Sequence, residues 1–257
     1  MDIVNGKRGQ VTIFVILAII VVALGVLIYF LYPRIFASTA FDVKNPEIFL
    51  QNCIEKDLSE GVKIISSQGG NLAPTNYYLY NDEKLSYLCY TDEYYKLGVV
   101  QEPFLQNSIE KQIAENISAK TSECWKLLIE NYEKKFYSIS EKTGTLKVEI
   151  LPNAIILRML DYEISVKKDS VETYNSFNII LNNNLYELLG FATNIIEWEA
   201  TIGEAEMWPY MMFFDYLKAE KIKQTDETKV YILTNKDTGD KFQFASRSLA
   251  FPPGVTK

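Results

Sequence analysis

Three cysteines are the most reactive side chains in this sequence: Cys53, Cys89 and Cys124. They lie far apart and form no CxxC pair, which argues against a compact zinc or iron–sulfur site. Under oxidising conditions they allow three different single disulfides, each leaving one thiol over. Cys53 and Cys124 both fall on amphipathic helical patterns, so a Cys53–Cys124 bond is the first expectation and three buried thiols are the alternative. A catalytic thiol needs a neighbouring base, and the 257-residue chain contains no histidine. That absence also removes histidine triads, imidazole metal sites and the usual proton shuttle near neutral pH.

The carboxylates suggest no acid–base pair either. Glu197 and Glu199 are two residues apart, as are Glu204 and Glu206, and such pairs do not share a helical face. Each reads as a solvated edge. Lys236-Asp237-Thr238-Gly239-Asp240 resembles a fragment of a calcium loop but lacks its twelve-residue pattern and terminal glutamate. There is no GxSxG, P-loop or dinucleotide glycine signature. The expectation is no catalytic residue, no cofactor and no metal site, in a chain that is not an enzyme. Asn116-Ile117-Ser118 is a glycosylation sequon.

Charge narrows the partners. The chain has 26 basic and 33 acidic side chains, a net −7, which repels nucleic acid. The tyrosines crowded between Asn71 and Gly98 therefore read as part of a folded lobe, not as a stacking platform for bases.

The elements that must position these residues begin with Val11–Tyr32, 22 residues without a charge, set between Arg8 and Arg34. As a helix this run is about 33 Å long, enough to cross a bilayer core. It predicts one transmembrane helix over 11–32, with the lipid bilayer as partner. Lys7 and Arg8 place the N-terminus inside and the C-terminal domain outside the cytoplasmic membrane. Residues 1–10 then form a short basic leader or cytoplasmic segment, and 33–45 a stalk or helix extension. Residues 46–247 form an extracytoplasmic α+β domain of one body or two lobes, and 248–257 a flexible tail.

Within that domain the spacing predicts a helix from Pro46 to about Ser66, with Phe49, Cys53, Leu58, Val62 and Ile65 on its apolar stripe. Leu105, Ile109, Ile113 and Ile117 mark a second helix, and Cys124, Leu128 and Tyr132 a third that starts near Thr121. Alternation over Leu146–Ile150, Ile155–Leu160 and Tyr162–Val166 predicts a three-stranded antiparallel meander. A further helix runs from about Ile180 to Trp198, and a last one over Glu204–Lys221 is interrupted by Pro209. Lys229–Leu233 and Lys241–Phe244 form a hairpin. Met207, Trp208, Tyr210, Met211, Phe213 and Phe214 make a dense apolar patch. Burial in the core is the first expectation for it, and exposure would mark a partner surface.

Lys7-Arg8-Gly9-Gln10 leads straight into the apolar run, with Thr12 just beyond. This start resembles an archaeal type IV prepilin, in which a short basic leader ending in glycine is cut before a glutamine that begins the hydrophobic helix. The resemblance implies cleavage between Gly9 and Gln10. Phe14 departs from it, standing where such pilins carry glutamate. The segments GQVTIF at Gly9–Phe14, NCIEKDLSEG at Asn52–Gly61 and QGG at Gln68–Gly70 also resemble an uncharacterised group of archaeal single-pass envelope proteins. That likeness implies an envelope location and no particular activity.

The functional expectation is a membrane-anchored archaeal cell-surface structural or interaction protein. It either stays in the membrane or becomes a pilin-like subunit of a surface filament after leader cleavage, with itself or other envelope proteins as partners. An anchored ligand-binding or sensor module is the binding-class alternative and would need a concave pocket. An envelope enzyme is the third reading.

Overall fold

Two long helices meet where a glycine lets them approach. They are α1 (Pro46–Ser67) and α2 (Leu105–Lys134), and a Cβ on Gly61 of α1 would lie 2.5 Å from Asn116 Oδ1 of α2. This contact explains a glycine inside a helix, where it otherwise costs about 1 kcal/mol relative to alanine. The buried stripe of α1 is Leu50, Ile54, Leu58, Val62 and Ile65, so its first part is turned one residue from the predicted stripe at Phe49 and Cys53. The helix expected to start near Thr121 is the continuation of α2. Thr121 is buried and its Oγ1 donates to Ile117 O at 3.0 Å, while Ser122 Oγ donates to Ser118 O. Hydroxyls that suggested a cap bond back into the helix instead.

The computed structural model describes residues 16–20, 22, 44–135, 137–168, 170–252 and 254. Residues Val43–Lys257 form one compact α+β unit. Its remaining helices are α3 (Leu185–Thr201) and the short α4 (Trp208–Phe213). The first strands are β1 (Tyr77–Tyr80), β2 (Glu83–Tyr90) and β3 (Val99–Val100). Then come β4 (Ser138–Lys142), β5 (Thr145–Leu151), β6 (Ala154–Leu160), β7 (Glu163–Lys167), β8 (Val171–Tyr174) and β9 (Phe177–Asn182). The last are β10 (Leu217–Lys223), β11 (Lys229–Asn235) and β12 (Lys241–Arg247).

The largest sheet runs β1-β2-β12-β11-β10, with β3 beside β2. Its β11–β12 pair is the predicted hairpin, while β12 pairs with β2 in parallel, so the sheet is mixed and not purely antiparallel. The predicted meander is replaced by two sheets, β5-β6-β9 and β4-β7-β8. Asp161, at φ 61°, turns the chain out of β6, and β7 pairs with β4 and β8. The place beside β6 goes to β9, whose Phe177, Ile179 and Leu181 alternate inward. Residues 180–182, expected as the start of a helix, thus belong to a strand.

Helix side chains close both edges of β5-β6-β9. On one edge Ile180 N donates to Gln51 Oε1 at 2.9 Å, and Gln51 Nε2 donates to Ile180 O at 2.8 Å. On the other, Ile150 N donates to Glu110 Oε1 at 2.9 Å and Gln106 Nε2 donates to Ile150 O at 3.0 Å. These amides and carboxylates stand in for a neighbouring strand.

The transmembrane helix expected over Val11–Tyr32 is corrected. Among the described residues, no helix is long and apolar enough to cross a membrane. Of that run only Ile16–Ile20 and Val22 are described, as helix. The rest of the run lies outside the described residues, as do Gly9, Gln10 and most of the expected stalk. The readings built on the span fall with it: the lipid bilayer as partner, the single-pass topology, the cytoplasmic-membrane or filament location, and an anchored surface subunit, sensor or envelope enzyme. The chain past β12 stays bound, with Ser248 and Ala250 buried and Tyr95 N donating to Ala250 O at 2.8 Å.

Cys53 and Cys124 form a disulfide that staples α1 to α2 and closes a loop with a sequence separation of 71; Cys89 is a buried free thiol. A cross-link over a loop of this size is worth about 2–4 kcal/mol. Replacing Cys53 and Cys124 together by serine is expected to lower unfolding free energy by that amount in urea titrations. In the unreduced, denatured wild type, alkylation should label one thiol, Cys89.

Candidate functional site

Chemistry-bearing side chains gather under α3, at Glu199. The α3 stripe Leu188, Ala192, Ile195, Ile196 and Glu199 faces the large sheet, so the carboxylate is carried inward on an apolar face and is fully buried. Lys229, the first residue of β11, donates to both oxygens of Glu199, at 3.1 and 2.8 Å. Tyr231 OH donates to Oε1 at 2.5 Å and Ser246 Oγ to Oε2 at 2.8 Å. The ammonium also donates to Gly203 O and lies 3.5 Å from Glu204 Oε2. Ser248 Oγ donates to the backbone oxygen of Glu199 at 2.6 Å and accepts from Gly98 N at 2.7 Å.

A serine, a lysine, a tyrosine and a carboxylate are a catalytic set in an open cleft. Here Glu199, Tyr231 and Ser246 are fully buried, the Lys229 side chain is 4% exposed, and the carboxylate's acceptor sites are filled from within. Burial, then the Glu199 charge, pushes the Tyr231 phenol far above its ordinary range. The same two causes push the Cys89 thiol up to about 11. The group ties α3 to β11, β12 and the segment after β12. The solvated-edge reading of Glu199 is therefore corrected. Glu197 and Glu206 are exposed, while Glu204 is partly buried and paired with Lys221 and Lys229.

Lys236–Asp240 is a turn that fixes the start of α3. Asp240 accepts from Asn183 Nδ2 at 2.8 Å, Asn184 N at 2.9 Å and Thr238 Oγ1 at 2.9 Å. Among the described residues no group of three or more His, Cys, Asp or Glu side chains could hold a metal ion.

The apolar patch lies on α4 and the loop to β10. Pro209 sits in the first turn of α4, where its missing N–H is tolerated, and Phe214 N donates to Tyr210 O at the other end. The predicted long helix is cut to six residues, and the chain then enters β10. Phe191 of α3 carries α4, its ring meeting those of Tyr210 at 5.9 Å and Phe214 at 4.9 Å. Tyr210 OH donates to Asn194 Oδ1 at 2.5 Å. Met207 is buried and Tyr210 half-buried, but Trp208 is 61% exposed, Met212 68% and Phe213 75%, with Met211 and Phe214 also exposed. Core burial, the first expectation for the patch, does not describe α4, which has no buried residue. Sequence reading missed that α3 extends the surface: Trp198 and Ile202 are exposed one and two turns past Asn194.

A polar hollow of about 220 Å³ lies between the end of α1 and the start of α2. Its side chains already bond one another or the backbone: Ser108 Oγ to Glu102, Gln112 Oε1 to Leu72 N, and Ser86 Oγ to Gln68 O.

Removing one partner of the buried pair leaves an uncompensated charge. Lys229→Met is expected to cost about 3–5 kcal/mol in urea unfolding, and Lys229→Met with Glu199→Gln to cost less than the single change. Cys89 adds a pH dependence. Its pKa is raised in the fold from 9.0 to about 11, so the unfolded thiol ionises first and stability falls as pH rises between those values. Comparing wild type with Cys89→Ala should show a shallower fall in the variant across that window. No protein-family model, curated protein or solved structure matches this chain.

Proposed function

We propose that Val43–Lys257 is a non-catalytic protein-interaction domain whose docking surface is α4 with the outer face of α3. The observation that carries this reading is a helix of Trp, Pro, Tyr, Met and Phe residues with none buried. Large aromatic and methionine side chains are costly to leave in water and are enriched at the centres of protein interfaces. Covering such a side chain gains about 1.5–3 kcal/mol, so a few of them sustain specific binding. The surface is also held ready. Phe191, Asn194 and buried Met207 fix α4, so little order has to be created on docking. The side chains most suited to catalysis are consumed in the closed Glu199 group, which supports a binding role.

Selection of a random peptide library on the full chain tests this. Peptides should be enriched whose binding disappears in Trp208→Ser/Phe213→Ser. The variant's thermal midpoint should stay near wild type, because exposed positions cost within about 0.5 kcal/mol. Binding that survives the double change, or a variant that melts early, would overturn the proposal.

A further inference from the structure

Acidic groups border the apolar patch. No lysine or arginine occurs between Lys168 and Lys218, the stretch that contains α3 and α4; the basic residue beside it is exposed Lys236, whose backbone N–H donates to Tyr216 O at 2.8 Å. Glu199 and Glu204 have lysine partners, but Glu197, Glu206 and Asp215 are exposed and enter none of the ion pairs among the described residues. Glu187 lies one helical turn before Phe191, on the α3 face that carries α4. Its Oε2 is shut from solvent and meets no hydrogen-bond donor among the described residues. Glu187 is also one of the residues lining a hollow of about 350 Å³, with Asn153, Asn184, Asp237 and Tyr216. The hollow adjoins the patch, since the Tyr216 ring lies 6.0 Å from that of Phe214, which packs on Phe191. Tyr216 registers the charge: its phenol is raised by burial and then by Glu187.

Resting on the interaction-domain reading, we infer that the partner is a cationic amphipathic helix whose apolar face covers Trp208, Met212 and Phe213 while one lysine or arginine enters the hollow at Glu187 and Asp237. The charge complementarity is direct. An apolar centre with acidic groups at its border matches an apolar stripe flanked by basic residues, and a guanidinium or ammonium in the hollow meets the two carboxylate residues that line it, Glu187 and Asp237. A second copy of this chain fits poorly. A twofold contact would set acidic rim against acidic rim on a protein of net charge −7.

The test uses the full chain and peptides of about 18 residues, five helical turns. A Leu/Lys amphipathic peptide is compared with Leu/Gln and Leu/Glu peptides of the same pattern and with a Gln/Lys peptide of equal charge, by tryptophan fluorescence titration. The Leu/Lys peptide should bind about tenfold tighter than Leu/Gln, with Leu/Glu weaker still. Its affinity should fall with added salt. Glu187→Gln with Asp237→Asn should remove most of the Leu/Lys advantage and leave Leu/Gln binding unchanged. If Leu/Gln or Leu/Glu binds as tightly as Leu/Lys and Trp208→Ser/Phe213→Ser abolishes it, the cationic partner is refuted while the interaction domain stands. Equal binding of Gln/Lys refutes the amphipathic partner in favour of bare charge attraction. Failure of all four peptides, with a concentration-dependent dimer in sedimentation that Phe213→Ser dissolves, replaces the cationic helix by a second copy.

Discussion

The Glu199–Lys229 pair is the constraint on which the seating of α3 and α4 on the large sheet depends. Both charges are taken out of water, a loss of several kcal/mol per ion that their attraction offsets only when the geometry is good and the spare hydrogen-bonding positions are filled. Tyr231, Ser246 and Gly203 O fill them, and these groups come from β11, β12 and the loop after α3. Sliding α3 by one turn would leave an ammonium unpaired beneath it. The pair therefore selects a single seating of α3 on the sheet, and α4 inherits its position from α3 through Phe191 and Asn194.

Elsewhere the domain suppresses association. Gln51 and Glu110 satisfy the outer backbone groups of β9 and β5, and Lys218, Glu220, Lys221 and Lys223 line the edge strand β10. Unpaired strand edges recruit other strands, and buried polar caps or edge charges prevent it. An exposed run of tryptophan, methionine and phenylalanine on α4 departs from that pattern.

Local sequence carried some of this and not the rest. Cys53 and Cys124 were legible as a pair because each falls on an apolar repeat of the sequence, although the buried face of α1 is turned one residue from Cys53, and the β11–β12 hairpin because its strands flank a turn-rich segment. Glu199 stood in register with Ile195 and Ile196, but its sign of burial depended on Lys229, thirty residues on and on another element. No spacing rule joins them. The break in the meander falls at Asp161, but its left-handed conformation is shared by Asn153 in the paired β5–β6 hairpin, and the strand that fills the gap comes from beyond β8. The density of the α4 patch was plain, but its exposure followed from Pro209 and the turn into β10, which leave the helix too short to enclose its own side chains. The hydropathy of Val11–Tyr32 was equally plain, yet among the described residues no helix is long and apolar enough to cross a membrane.

The cross-link between α1 and α2 also sets how the chain transmits mechanical force. Tension applied between the two ends of this domain enters near the start of α1, crosses directly from Cys53 to Cys124, and leaves through the last turns of α2. The intervening segment, which includes β1–β3 and most of α2, is bypassed. A separation of 71 residues, at about 3.5 Å each, withholds roughly 250 Å of contour from any extension. Pulled in an oxidising medium, the domain would lengthen by that much less than its residue count allows, and a reductant would release the hidden length in one step.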